Sequence, residues 1–182
     1  MKYLILIFLT IFSNLSYSQD LVEIEKQLLI LVNNERSERG LTTFITDTLI
    51  NNTSKIHGNY LSTIGSFKQV SHTNPNPKYK TASNRIKVVS NLKYIISSEN
   101  VTAFNYDTTK TDLEIAVHIH NNFMNSKYHK MNVLTENGDY SNLGYTLPSH
   151  YGHCVVYNEK INAIIVVQMF PSLDYGRSEN VK

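Results

Sequence analysis

The order of hydrophobic periods predicts an α+β fold. Apolar residues recur at helical spacing through the first two thirds of the chain, in "LVEIEKQLLILVNN", "LINNTSKIHGNYLSTI" and "LEIAVHIHNNFM". The last third switches to the short apolar runs "HCVVYN" and "INAIIVVQMF", which read as strands. Helices gathered ahead of an antiparallel meander give α+β, with the sheet packed on helices or held between helical layers.

The chain opens with Lys2, an apolar run from Tyr3 to Phe12, and small polar residues ending in Ser16-Tyr17-Ser18. This has the form of an export signal cleaved before Gln19. The run is far short of the ~20 residues that a spanning helix needs, and no cysteine stands near the cleavage point to take a lipid. Residues 1–18 are therefore expected to direct the protein to the periplasm or the exterior. Residues 19–172 are expected to form one domain, with 173–182 as a C-terminal tail.

Within that domain Asp20 is a plausible N-cap for a helix carrying Leu21, Ile24, Leu28, Leu31 and Val32 on one face, stopped at Gly40. A second helix is expected from Asp47 to Ile64, with Leu49, Ile56, Tyr60 and Ile64 on its apolar face. The Asn-Pro pairs of "SHTNPNPKYK" demand turn or extended backbone, so a loop follows, then a short helix over Thr81 to Val89. "LKYIISSENV" reads as a short strand or extended segment. Thr111 or Asp112 ahead of Glu114 has the pattern of a capping box and starts a helix to Asn125, on which Leu113, Ala116, Val117, His120 and Phe123 or Met124 would share a face. "SNLGYTLPS", "HCVVYN" and "INAIIVVQMF" are then strands, the last two joined by a turn at "NEK".

Composition excludes some functions. A net charge of +2, with 18% charged residues and no basic run, argues against nucleic acid as the main partner. No segment of the mature chain is long and apolar enough to span a membrane. A single cysteine, Cys154, excludes an intramolecular disulfide; its apolar alternating surroundings read as those of a buried small residue rather than a nucleophile.

The sequence contains no HExxH, GxSxG, CxxC pair or phosphate-binding glycine loop. His118 and His120, two apart on a helix, point to nearly opposite faces and cannot chelate one ion together; His118 with Glu114 reads as a surface contact. His150 and His153, in "HYGH", read as part of a solvated strand connection rather than as a weak metal site. His72 in "VSHTN", Glu99 in "SSENV" and His129 in "SKYHK" each read as polar residues in a turn or at an element end. Spacing alone does not bring these three together.

From Leu28 to Phe170 the chain resembles the CAP superfamily, or SCP domain, which groups cysteine-rich secretory proteins, antigen 5 and plant pathogenesis-related proteins with disulfide-free bacterial members. The resemblance is carried in order by "LVNNERSERGL", Ser71-His72, "NRI" at Asn84 to Ile86, "SEN" at Ser98 to Asn100, "FMNSKYHKMNVL" from Phe123, "NLGY" at Asn142 to Tyr145 and "VVQMF" at Val166 to Phe170. It implies a three-layer α-β-α sandwich with a mostly antiparallel sheet and a polar cleft. The cleft histidines of the family fall on His72 and His129, and one glutamate on Glu99. Asn100 would brace the loop beside it. The second glutamate of eukaryotic members falls on Ser126, as in many bacterial relatives, and Lys127-Tyr128 stand where those relatives usually have Pro-Gly.

Two functions follow from the resemblance. The first is a non-catalytic binding module whose cleft, lined by His72, Glu99, Asn100, Ser126 and His129, holds a small or lipidic ligand or a cell-surface partner. The second is a metal-dependent hydrolase of envelope peptides or cell-wall polymer. In that reading His72, Glu99 and His129 hold Zn²⁺ or another divalent cation with a position open for water.

Overall fold

A computed structural model describes residues 20–90, 95–135 and 149–173. The export segment 1–18, most of the strand expected in "SNLGYTLPS", the Asn142–Tyr145 motif and the tail from residue 174 lie outside the described residues. The described elements are α1 (Leu21–Glu38), β1 (Ile45–Thr46), α2 (Thr48–Leu61), α3 (Ala82–Ser90), β2 (Ile95–Asn105), α4 (Asp112–Asn125), α5 (Lys127–Val133), β3 (His150–Asn158) and β4 (Ala163–Leu173), with two short 3-10 turns between α2 and α3. Among the described residues no helix is long and apolar enough to cross a membrane.

The strands form one mixed sheet in the order β1-β3-β4-β2. β4 pairs antiparallel with both β2 and β3, while the two-residue β1 runs parallel to β3. β4 is buried on both faces, which is why its sequence is a near-continuous apolar run. Ile165, Val167 and Met169 pack against Ile50 and Leu61 of α2 and Ile86 of α3. Ile164 and Val166 pack against Ile24 and Leu28 of α1 and Ile115, Ile119 and Phe123 of α4, and Phe170 meets Val32 of α1 and Val133 of α5. The result is the expected α-β-α sandwich, with α2 and α3 on one side of the sheet and α1, α4 and α5 on the other.

Local chemistry sets the helix ends. The Asp20 carboxylate accepts from the backbone N–H of Val22 and Glu23, and Gly40 after α1 has φ +71°. Thr111 and Glu114 form the complete capping box at α4. The buried Asn158 amide donates to the carbonyls of Leu61 and Ile64 at 2.8 and 3.0 Å, tying the end of α2 to the β3–β4 turn. That turn occupies Glu159 to Asn162, with Asn162 in the left-handed region at φ 46°.

The apolar face expected for α2 is displaced. Its buried residues are Ile50, Thr53, Ser54, His57, Gly58 and Leu61, with Ile64 buried just beyond the helix. The reason is close approach to β3. A Cβ on Gly152 would stand 2.7 Å from the Asn51 backbone nitrogen and closer still to Ile50, and one on Gly58 would collide with the Cys154 sulfur. Small residues are needed at this contact, and the Thr53 and Ser54 hydroxyls are satisfied by the carbonyls of Leu49 and Ile50. On α4 the buried set is Ile115, Ala116, Ile119, His120 and Phe123, so Leu113 and Val117 face outward. Cys154 is buried as expected, and burial pushes its thiol pKa up to about 12.

His150 and His153 are not in a solvated connection: they lie in β3, and His153 is 5% exposed. The His153 Nε2–H donates to the Glu25 carbonyl at 2.9 Å, and burial holds its pKa down at about 4. An unfolded chain takes up this proton near pH 6.5, so between about 6.5 and 4 the unfolded state binds more protons and stability falls as pH falls. This one group accounts for roughly 3 kcal/mol across that window. Urea unfolding at pH 7 and pH 4.5 should show a large loss in the natural chain and a smaller one in His153→Gln, whose amide can keep the bond to Glu25.

Candidate functional site

β2 is an edge strand of the sheet, and its alternation sends consecutive residues to opposite layers. Glu99 points toward α3 and Asn100 toward α5. Glu99 is therefore in mid-strand, not in a turn or at an element end, and its side chain is 3% exposed.

One Glu99 oxygen accepts from a guanidinium nitrogen of Arg85, a residue of α3 with no exposed surface; the other accepts from the His72 Nδ1–H at 3.0 Å. Arg85 also donates to the Tyr79 carbonyl at 3.0 Å. A guanidinium so buried stays in place only because a carboxylate meets it. Glu99 in turn fixes the tautomer of His72: with Nδ1 donating to the carboxylate, Nε2 is left as an acceptor on a side chain that is 59% exposed.

The loop bearing His72 is anchored from below by His57, on α2. The His57 ring is wholly buried and donates from Nε2 to the Ser71 carbonyl at 2.8 Å. Its pKa is lowered chiefly by burial, with Arg85 and His72 pushing the same way and Glu99 opposing them, which marks it as part of the same electrostatic group.

His129 was expected in a turn past α4. It lies instead on α5, a separate helix that begins directly after Ser126. Ser126 stands at the N-cap with no side-chain capping bond. His129 packs edge-on against Phe123 with centroids 5.2 Å apart, and burial, then the proximity of His72, lowers its pKa.

Asn100 does brace the site, but through α5. Its amide nitrogen donates to the His129 carbonyl at 3.1 Å and to Gln168 at 3.0 Å, while its carbonyl oxygen accepts from Asn132 at 2.7 Å. Gln168 continues the row by donating to the Tyr151 hydroxyl at 2.8 Å. The far end of α5 is held by Arg36 of α1, which donates to the Val133 carbonyl at 2.7 Å and lies 3.7 Å above the Phe44 ring.

His72 and Glu99 are thus in direct contact, and His129 lies within electrostatic reach of His72. Among the described residues no group of three His, Cys, Asp or Glu side chains is arranged to hold a metal ion. Arg85, a buried cation, occupies one Glu99 oxygen, and the His72 Nδ1–H occupies the other. His57 and Arg85 are the members that sequence reasoning missed. The signal for Arg85 was available: it lies between Ala82 and Ile86 on the buried face of a short helix, where a guanidinium must find an anion.

Replacing Glu99 by Gln strands the Arg85 charge and should cost about 3 kcal/mol or more. His72→Ala, at an exposed position, should change stability by less than about 1 kcal/mol. Denaturant unfolding of the two variants beside the natural chain measures the contrast.

No family model matches the sequence, and no curated protein matches it. Among solved structures, an outer surface protein of Borrelia burgdorferi matches with a TM-score of 0.62 at 17% identity, over 84% of this chain and 94% of that one. An extracellular protein of Bacillus anthracis that contains an SCP domain matches with a TM-score of 0.51 at 20% identity, over 80% of this chain and 39% of that one. At these identities the likeness carries the fold alone, and at that level the sequence resemblance holds: the chain has the fold of an SCP domain.

Proposed function

We propose that this SCP-fold chain is an exported, non-catalytic binding protein whose polar cleft, built on His72, Glu99 and His129 with Asn100 and Ser126 around them, holds a small or lipidic ligand or a cell-surface partner without a metal ion. The observation that carries this reading is the double engagement of Glu99 by Arg85 and His72. A carboxylate held on both oxygens, one of them by a fully buried cation, is poorly placed to serve as a water-activating base or as a third metal ligand. What the cleft offers a ligand is the outward Nε2 of His72, an acceptor for a hydroxyl or amine, beside the half-buried His129 imidazole. Export is supported by the form of residues 1–18 and agrees with the extracellular and outer-surface proteins that share the fold.

Zinc titration by calorimetry, paired with release of soluble fragments from purified peptidoglycan, separates this reading from the hydrolase. The natural chain and a His72→Ala/His129→Ala variant should both show no stoichiometric zinc binding and no release. A micromolar zinc site or peptidoglycan turnover that disappears in the variant would overturn the proposal in favour of a metal-dependent hydrolase. Export is read separately: in a bacterial host the full chain should be recovered outside the cytoplasm with Gln19 as its first residue by intact mass.

A further inference from the structure

From Thr48 to Ser98 the sequence has no aspartate or glutamate, so all 15 acidic residues of the chain lie outside this stretch. Its cations are Lys55, Lys68, Lys78, Lys80, Arg85, Lys87 and Lys93. The stretch supplies α2, the two 3-10 turns at Phe67–Gln69 and Pro77–Tyr79, and α3, the layer on one side of the sheet. Arg85 is buried and neutralised by Glu99, and Lys55 lies in the field of Glu25. Lys93 lies outside the described residues. The other four, Lys68, Lys78, Lys80 and Lys87, are exposed and form no ion pair among the described residues. At the margins the charges are matched or engaged. Asp47, just before the stretch, accepts from the backbone N–H of Leu49 and Ile50, and Lys160, beside Glu159, donates to the Thr63 carbonyl at 2.8 Å.

The backbone that carries these lysines is fixed. The Lys68 N–H donates to Ser66 Oγ at 3.2 Å and the Lys78 N–H to Asn76 Oδ1 at 3.0 Å. The Lys80 carbonyl accepts from the Asn74 N–H at 3.1 Å, and the Tyr79 carbonyl between the two lysines accepts from the buried Arg85 at 3.0 Å. Only the lysine side chains therefore need to order on a ligand, which lowers the entropic cost of binding. Ser71, Thr73 and Asn76 are exposed between the cations, and the Phe67 ring beside Lys68 is 40% exposed.

We propose that this face docks an acidic polysaccharide, with Lys68, Lys78, Lys80 and Lys87 meeting its carboxylate, sulfate or phosphate groups and Phe67 covering the face of a sugar ring. The proposal does not rest on the cleft reading, since none of these five residues belongs to the cleft. Cations unopposed across a layer set up a positive potential, and a polymer that repeats its anions meets several of them at once, so that weak contacts combine. The hydroxyl and amide groups between the lysines suit the hydroxyls of sugars. A bilayer fits less well. In the described part of this layer Phe67 is the one large apolar side chain that is exposed, too little to bury among acyl chains.

The test is binding of the full chain to polygalacturonate and to dextran sulfate, with neutral dextran beside them, at low and at physiological salt. Both acidic polymers should bind at low salt and more weakly at physiological salt, as screening of exposed charges requires, and dextran should not bind. Lys78→Ala/Lys80→Ala should weaken binding roughly tenfold, the scale of two exposed charge contacts. Lys26→Ala/Lys110→Ala, which removes the same charge elsewhere, should stay within about twofold of the natural chain. The Tm of each variant checks that the fold is kept. Equal losses in the two double variants would reduce the effect to net charge and overturn the proposal. So would no binding of either acidic polymer at low salt, or tighter binding to phosphatidylglycerol vesicles or duplex DNA than to both polysaccharides.

Discussion

The arrangement of this molecule's candidate site turns on one ion pair. Arg85 is fully buried on α3, and Glu99 of the edge strand is the carboxylate that meets it. An isolated guanidinium at that depth would cost far more than a small domain can spare, so the pair must form for α3 to dock on β2. Once formed, it dictates the rest locally. Glu99 is turned to the α3 side of the sheet, so its neighbour Asn100 is turned to the other side, where it reaches the carbonyl of His129. A single strand thereby holds both histidines, one through a side chain in each layer: the His72 ring through Glu99, and the His129 backbone through Asn100.

The same pair limits the chemistry. Donor identity alone, two imidazoles and a carboxylate, suits a hydrolytic metal centre. In the fold that carboxylate is matched by a cation and an imidazole N–H. Residue type and order do not reveal this partner on the far side of Glu99.

The fold was legible where local chemistry decides it. Asp20 before α1 and Thr111 with Glu114 before α4 are capping patterns that can be read without knowing the rest of the chain, and both occur where expected. β4 was legible because burial on both faces leaves no polar alternation. α2 was misread because its contact with β3 is so close that the buried face requires Thr53, Ser54 and Gly58, and hydrophobicity is then the wrong guide. α5 went unseen because seven residues are too few to show a helical period, and a serine by itself also reads as part of a loop. The His72–Glu99 contact came only from the family resemblance, since residues 27 apart on a loop and a strand have no spacing rule to join them.

Histidine serves mainly as a structural residue here. Of the seven, four, His57, His120, His129 and His153, have an Nδ1 that is buried without a hydrogen-bond partner. In His57 and His153 the tautomer follows from the acceptor: a backbone carbonyl takes the Nε2 proton, so the ring is a neutral donor that ties one segment to another. His57 ties α2 to the loop of His72, and His153 ties β3 to α1. Burial lowers the pKa of all four, which keeps them uncharged at neutral pH. With no disulfide available, cross-links of this kind, together with the amides of Asn100, Asn158 and Gln168, hold the layers in register. The outward-facing His72 differs from His57 and His153, because its partner is a carboxylate rather than a carbonyl and its side chain is mostly exposed. That difference in partner is what sets it apart from those buried rings.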